Sequence, residues 1–391
     1  MKNRNSFLKG ALCGALAMLL AAGLVSCGLK VNSGSSDITS KTEDKISELQ
    51  NLVRKHYMGD VKEKNLEDGI YKGYINGLND PYSVYYNKKE TKELYESTGG
   101  EYSGIGAVMS QNTETGVITL VQIYKDSPAE KAGLKDNDIL YKVEGKEVTG
   151  KDLSKVVSKI KGEKGTTVEL TVLRGENAEE VTVTATRDTV QAQTIEYKLM
   201  DDKIGYIRVS EFDTVTYDQY KEALDDLEKQ GMTGLVVDLR NNPGGSLSTV
   251  CDMLDLMLPK GMIVYTEDKD GKKTEMKSDE EHQFTKPLAV LVNGNSASAS
   301  EIYSGAIQDY GIGKIVGTQT YGKGVVQQIF DLDDGTAVKL TIAEYFTSKG
   351  RSINGKGITP DVKIKYQSDE ENPDADNQLE KAVETVKAQM K

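Results

Sequence analysis

The chain has 391 residues, no tryptophan, 20 tyrosines, three cysteines and two histidines, with 61 acidic against 49 basic side chains. That length allows two or three domains with ample core. A net charge of −12 argues against nucleic acid as the main partner, and so few cysteines and histidines leave no paired-cysteine or histidine metal motif.

Lys2, Arg4 and Lys9 precede an apolar run, Ala11 to Val25, in the order of an export signal. Leu24-Val25-Ser26-Cys27 resembles a bacterial lipobox, in which Cys27 is lipidated and becomes the first mature residue. Phe7 to Leu29 is also nearly long enough for an uncleaved signal anchor, and an ordinary cleavage site beside an incidental cysteine is the third option. Residues 1–26 are therefore a signal peptide or anchor. The expected location is outside the cytoplasm, at the cell membrane or envelope, tethered by an N-terminal lipid or anchor. Residues 27–42 are polar and Ser/Gly/Lys-rich, as in a tether.

Ile46, Leu49 and Val53 mark one amphipathic helix, stopped at Gly59. Leu66, Ile70, Tyr74 and Leu78 mark another, stopped by Asn79-Asp80-Pro81. Residues 43–98 thus read as a small helical region. Over residues 99–188 the pattern predicts strands at 106–109, 117–124, 138–143, 167–173 and 180–184, with one helix at 152–161. This is a compact β-rich domain.

Over residues 189–366 it predicts strands at 204–209, 234–239, 262–265, 288–292 and 314–317. Helices are predicted at 217–230, 247–258 and 299–310. Strands alternating with helices indicate a parallel or mixed sheet covered by helices. Residues 367–391 form an acidic linker and a helix over 378–390. Cys251 falls among Leu247, Val250, Leu254 and Leu258 at helical spacing, which makes it a buried structural thiol.

The most informative stretch is Asn293-Gly294-Asn295-Ser296-Ala297-Ser298-Ala299-Ser300-Glu301, between a buried strand and a helix. A serine on such a turn sits where unpaired N–H groups and the helix dipole stabilise an oxyanion. Ser298 with Glu301 also has the spacing of a capping box, and Ser296 and Ser300 compete for the nucleophile's place. Downstream, Gly322-Lys323-Gly324 puts a lysine between glycines, with Gln327 four residues on. Gly317 to Lys323 matches half of a phosphate-binding loop. However, Gly324 stands where Ser or Thr should hold magnesium, and a strand rather than a helix follows.

Asp238-Leu239-Arg240-Asn241-Asn242-Pro243-Gly244-Gly245 ends another buried strand, and its glycines allow backbone N–H groups to point into a cleft. Ser158 and Lys161 have the S-x-x-K spacing but lie on a lysine-rich helix. His56 and His282 have no metal-ligand partner at usable spacing.

Taken together and in order, these pieces resemble the carboxyl-terminal processing peptidases, or tail-specific proteases, over residues 40–366. Asp80-Pro81-Tyr82-Ser83, the PDZ-like Gly104-Ile105-Gly106 with Ser127 to Leu134, and Asp238 to Gly245 match successive elements of that family. So do Asn293 to Ile302, Gly322 to Gln327 and Arg351 to Asp361. The resemblance implies a multidomain α+β fold: an α/β catalytic core, ClpP/crotonase-like, with an inserted β-rich PDZ domain and a small helical N-terminal region.

It also implies that Ser298 is the nucleophile, Lys323 its general base and Gln327 the residue that orients the lysine. Ala299 and Gly245 N–H groups would form the oxyanion hole, with Gly244 the alternative. Gly104, Ile105, Gly106 and Ala107 would hold the substrate's C-terminal carboxylate, and no metal or cofactor is expected.

A free lysine is protonated at neutral pH, so the base needs desolvation, for instance against Val325 and Val326. Glutamine can orient it without adding charge; an aspartate would hold it cationic. The expected activity is serine-type endopeptidase action on exported or membrane-attached proteins with free C-termini. A homo-oligomer is compatible with this. The alternatives are a non-catalytic PDZ adaptor with a decayed peptidase core and, less well matched, a P-loop NTPase.

Overall fold

The computed structural model describes residues 40–279, 281–369, 372 and 375–390. The expected export signal and Cys27 lie outside them. No helix among the described residues is long and apolar enough to cross a membrane. The chain divides after Leu66 into two units. In the first, helix Ser40–His56 leaves Leu49 and Leu52 about half exposed, and Arg54 pairs with Glu63 at 3.0 Å. Helix Glu63–Asn76 follows.

The second unit is built around a six-stranded sheet. Its order is Ile195–Leu199, Ile204–Val209, Gly234–Asp238, Leu288–Val292, Lys314–Gly317 and Val362–Lys363, parallel except for the first pair. Strand Leu288–Val292 is an unbroken Val/Leu/Ala run, and Gly234–Asp238 carries Leu-Val-Val at its centre, because both faces are covered. Leu235, Val237, Leu288, Val290 and Val292 pack with helices Thr216–Lys229, Leu247–Asp255 and Ala299–Tyr310. Val236, Ala289 and Leu291 face the C-terminal helix Asn377–Gln389 through Ala382 and Val386. Cys251 is buried among the first set, and burial pushes its thiol up to about 12.

A second, antiparallel sheet joins Val84–Tyr86, Ala337–Thr347, Gly261–Asp268 and Lys273–Ser278, with Val325–Asp331 also on Ala337–Thr347. Alternation with helices made residues 262–265 look like part of the main sheet. Their hydrogen-bond partners instead lie in the hairpin strand 273–278 and in strand 337–347. Likewise Val84–Tyr86 interrupts the stretch read as helical. It pairs with Lys339, Val338 and Ala337, far along the chain, and a three-residue strand has too short a period to announce itself.

That pairing makes the β-rich stretch that follows Val84–Tyr86 an insertion into the core. The inserted domain has strands Ala107–Gln111, Ile118–Ile123, Asp138–Val143, Thr167–Arg174 and Glu179–Thr186 around one apolar cluster, with helix Leu153–Ile160 capped by Asp152. Glu101–Gly104 pairs with Asp188–Gln191 at its junction with the core.

Candidate active site

Strand Leu288–Val292 is fully buried and leads through a short turn into helix Ala299–Tyr310. At the join, Ser298 takes φ 54° and ψ −113°, a conformation that persists for a non-glycine residue only where its surroundings impose it. Glu301 imposes it. Its carboxylate is fully buried and accepts from the Ser298 N–H at 2.9 Å. The same carboxylate accepts from the Thr320 hydroxyl at 2.6 Å, the Gly322 N–H at 2.7 Å and the Lys323 N–H at 2.9 Å. Four donors satisfy one buried charge. The residue expected only to close a capping box therefore ties the serine turn to the lysine loop.

The neighbouring serines are committed elsewhere. Ser296 donates its hydroxyl to the Leu239 carbonyl at 2.7 Å, and Ser300 donates to the Asn242 carbonyl at 3.0 Å. Both are fully buried, and both fasten the serine turn to the end of strand Gly234–Asp238. Ser298 instead lines a cavity of about 310 Å³ with Gly245, Ala299, Lys323, Gln327 and Lys339. This cleft opens beyond the carboxyl ends of the parallel strands, where open α/β sheets bind ligands.

Beside Ser298, the glycine turn is held by Asn242. Its side chain donates to the Val209 carbonyl at 2.9 Å and accepts from the Gly244 N–H at 2.8 Å. Gly244 is thereby occupied, which disfavours it as an oxyanion donor. The N–H groups of Gly245 and Ala299 find no acceptor among the described residues. Gly244 must be glycine at φ 109°, since an added Cβ would lie 2.8 Å from the Ser298 Cβ. Arg240 sits between Asp238 and Asp376, at 2.6 and 2.7 Å, and anchors the strand end.

The lysine loop is crowded against residues 353–358. Thr320 N–H donates to the Ile358 carbonyl and Gly355 N–H to the Gly322 carbonyl. A Cβ on Gly324 would come within 2.3 Å of the Asn354 nitrogen. The family-like segment Arg351 to Asp361 thus braces the loop. Tyr345 donates to the Ser298 carbonyl at 3.2 Å and also contacts the Lys323 carbonyl.

Lys323 Nζ lies 4.8 Å from the centroid of the Tyr82 ring, in the Asp80–Ser83 element. Burial pushes its pKa below the ordinary lysine value, and the nearby Lys339 ammonium pushes the same way, against Asp80 and Glu301. Val325 and Val326 share the cavity. Gln327 donates to the Thr341 hydroxyl at 3.2 Å. Among the described residues, Lys323 Nζ makes no hydrogen bond to Ser298 or Gln327, so the three share a cleft without a continuous chain of bonds.

Sequence reasoning missed Tyr82, Lys339, Thr341 and Tyr345 as neighbours of Lys323 and Gln327. The last three come from strand Ala337–Thr347, whose register against Val325–Asp331 no local pattern reveals.

In the inserted domain, Gly104 ends one strand and Ala107 begins the next. Between them the Ile105 carbonyl accepts from the Ala129 N–H at 2.7 Å, and the Gly106 carbonyl from the Tyr124 N–H at 3.0 Å. The N–H groups of Ile105 and Gly106 find no acceptor among the described residues. Gly106 has φ 77°, and a Cβ there would strike Ser127 at 2.5 Å. Strand Ala107–Gln111 pairs only with Ile118–Ile123 among the described residues, leaving one edge for an added strand. His56 ends the first helix, His282 lies in a loop, and Ser158 bonds the Ser154 carbonyl of its own helix. None is part of the cleft.

Comparison with known proteins matches residues 203–364 to peptidase family S41, 119–174 to the PDZ domain and 26–91 to the activating protease CtpB N-terminal domain. The carboxy-terminal processing protease CtpA of Bacillus subtilis is 38% identical over 321 residues, covering 82% of this chain and 68% of its own. CtpB of the same organism is 36% identical over 329 residues, covering 83% and 68%. A Bacteroides fragilis crystal structure named among S41 proteases is 16% identical, covers 82% of this chain and 90% of its own, and has a TM-score of 0.51. That likeness speaks to the fold.

Proposed function

The chain belongs to peptidase family S41, among the PDZ-bearing carboxy-terminal processing serine proteases, and we propose that it cleaves peptide bonds with Ser298 as nucleophile and Lys323 as base. The observation that carries this reading is the shared cleft. Ser298, Lys323, Gln327, Gly245 and Ala299 line one cavity, while the hydroxyls of Ser296 and Ser300 are spent on backbone carbonyls.

In the proposed reaction, neutral Lys323 Nζ removes the proton from Ser298 Oγ as the oxygen attacks the scissile carbonyl carbon. The carbonyl π electrons move to oxygen, and the Gly245 and Ala299 N–H groups receive that charge. Lys323, now an ammonium, returns the proton to the leaving amine, and the C–N bond breaks. Water then repeats the sequence on the acyl ester. Gln327, steadied by Thr341, offers its carbonyl oxygen to the lysine without adding charge. The lowering of the Lys323 pKa by burial and by Lys339 supports its role as base, because both make the neutral form easier to reach.

The Ile105 and Gly106 N–H groups, with Gly104 and Ala107 flanking them, are read as the cradle for a substrate's free carboxylate. The open strand edge beside them would pair with its tail. Substrate capture then completes the alignment of Lys323 and Gln327 with Ser298. We further read the protein as exported and held at the membrane through Cys27 or an uncleaved anchor, a reading carried by the sequence alone. Mass spectrometry of the mature N-terminus tests it: an intact Met1 rejects lipidation.

A fluorophosphonate probe, which labels activated serines, tests the main reading. Labelling confined to Ser298, lost in Ser298→Ala and retained in Ser300→Ala, supports it. Labelling of Ser300, or none in the wild type, overturns it in favour of another nucleophile or a non-catalytic adaptor.

A further inference from the structure

The cavity holding Ser298 is one of two that meet at Asp213. The outer one, about 840 Å³, lies between helix Lys88–Gly99 and the PDZ helix Leu153–Ile160. Asp213 is only 7% exposed. Its backbone is satisfied: the N–H donates to the Thr216 hydroxyl at 2.9 Å, and the carbonyl accepts from the Thr216 N–H at 3.0 Å. Its carboxylate makes no hydrogen bond or ion pair among the described residues.

The lysines of the outer cavity do not serve it. Lys89 pairs with Glu93 at 3.5 Å, Lys92 with Glu96 at 3.8 Å, and Lys161 lies 4.6 Å from the Tyr102 ring centroid. Opposite, Gly100 leaves the carboxylate its room, since an added Cβ would lie 3.0 Å from the Asp213 Cβ. Ser103 Oγ, on the wall of the same cavity, is a buried polar atom without a partner. Burial, with Glu211 adding to it, pushes the Asp213 carboxyl up to about 7. A carboxylate that lines a cavity on a little-exposed residue, with no partner of its own, gains from a cation brought in by something else.

We propose that Asp213 is a specificity subsite that takes the cationic side chain of a lysine or arginine in the substrate, between the bond cut at Ser298 and the tail held by the PDZ domain. The proposal rests on the reading of Ser298 as nucleophile and of residues 104–107 as the tail cradle. Because the tail lies C-terminal to the scissile bond, the recognised residue does too. A peptide running from the PDZ edge to Ser298 through the outer cavity passes Asp213. It places one cation where the protein has a carboxylate and no counter-charge, and its extended backbone brings polar groups to Ser103.

The test uses the full chain and a peptide with a free C-terminal carboxylate. One lysine is moved through the positions after the scissile bond, and each lysine peptide is compared with its norleucine twin. At one position lysine should raise kcat/KM by about tenfold, and Asp213→Asn should bring the lysine-to-norleucine ratio close to one. A thermal melt and fluorophosphonate labelling of Asp213→Asn establish that the variant is folded with a reactive serine. If no position prefers lysine, or if the preference survives in Asp213→Asn, the subsite is rejected. Failure of the wild type to cleave any twin or to react with the probe rejects the Ser298 reading instead, and this proposal with it.

Discussion

Residues 293–301 and residues 319–324 both end on the Glu301 carboxylate, yet they are held differently. In the serine turn nearly every polar side chain is spent on structure. Asn293 exchanges bonds with Asn241, Ser296 reaches Leu239 and Ser300 reaches Asn242. In the lysine loop the backbone is equally fixed, by Glu301 and by residues 353–358, but the Lys323 side chain rests on an aromatic face. The fold therefore presets both backbones and leaves one long side chain to be aligned. The serine's backbone is held by Glu301, whereas the Lys323 side chain has only the Tyr82 ring face beneath it.

The largest effect should come from the proposed nucleophile and base. Ser298→Ala and Lys323→Arg are each expected to lower kcat by about 10³-fold or more. Arginine keeps the charge but stays protonated and cannot serve as base. Substantial activity in Lys323→Arg would show that the lysine acts only as a cation.

Glu301→Ala comes next, because it strips both loops of their shared acceptor and strands buried N–H groups. A loss of several kcal/mol in stability is expected, with Glu301→Gln losing less. Urea denaturation measures it. A Glu301→Ala protein as stable as wild type would remove the link between the loops.

Activity should rise with pH through the depressed lysine pKa, since only neutral Lys323 accepts a proton. Lys339→Met removes a like charge, so the Lys323 pKa should rise and the acid limb of kcat/KM should move to higher pH. Asp80→Asn should move it to lower pH. Equal profiles in all three proteins would show that the limb reports another group.

Asp213 gives a smaller effect, on stability. Its carboxyl holds a proton in the folded state at pH values where the unfolded chain has lost it. Wild-type stability should therefore fall as pH rises from about 4 to about 7. The melting-temperature advantage of Asp213→Asn over wild type should be larger at pH 8 than at pH 5, and a constant difference refutes the shift.

The smallest change is Ser300→Ala, which should retain most activity and lose about 1 kcal/mol for its bond to Asn242. Loss of probe labelling there would blur the contrast between the two loops.

Several features of the site were legible from the chain alone. Strand 288–292 is written in an unbroken apolar run, the helix from Ala299 in a capping signal and strand 314–317 in a short Ile-Val pair before a glycine, which are local properties. Glycines at 244, 245, 322 and 324 announce close backbone approach, and the order of motifs carries the family resemblance.

What the chain alone left open is set by pairing between segments distant in sequence. The choice among Ser296, Ser298 and Ser300 is decided by which hydroxyls meet the carbonyls of Leu239 and Asn242. Glu301 looks like a capping residue until the lysine loop folds onto it. Lys339, Thr341 and Tyr345 reach the lysine loop and Gln327 only because strand 337–347 adopts one register against 325–331, and Tyr82 only because Val84–Tyr86 joins the same sheet. Local propensity and hydrophobic period marked most helices and the buried strands, but not strands Val84–Tyr86, Lys273–Ser278 or Ala337–Thr347. Burial of both sheet faces, and the need to satisfy one buried carboxylate, decided which side chains share the cleft.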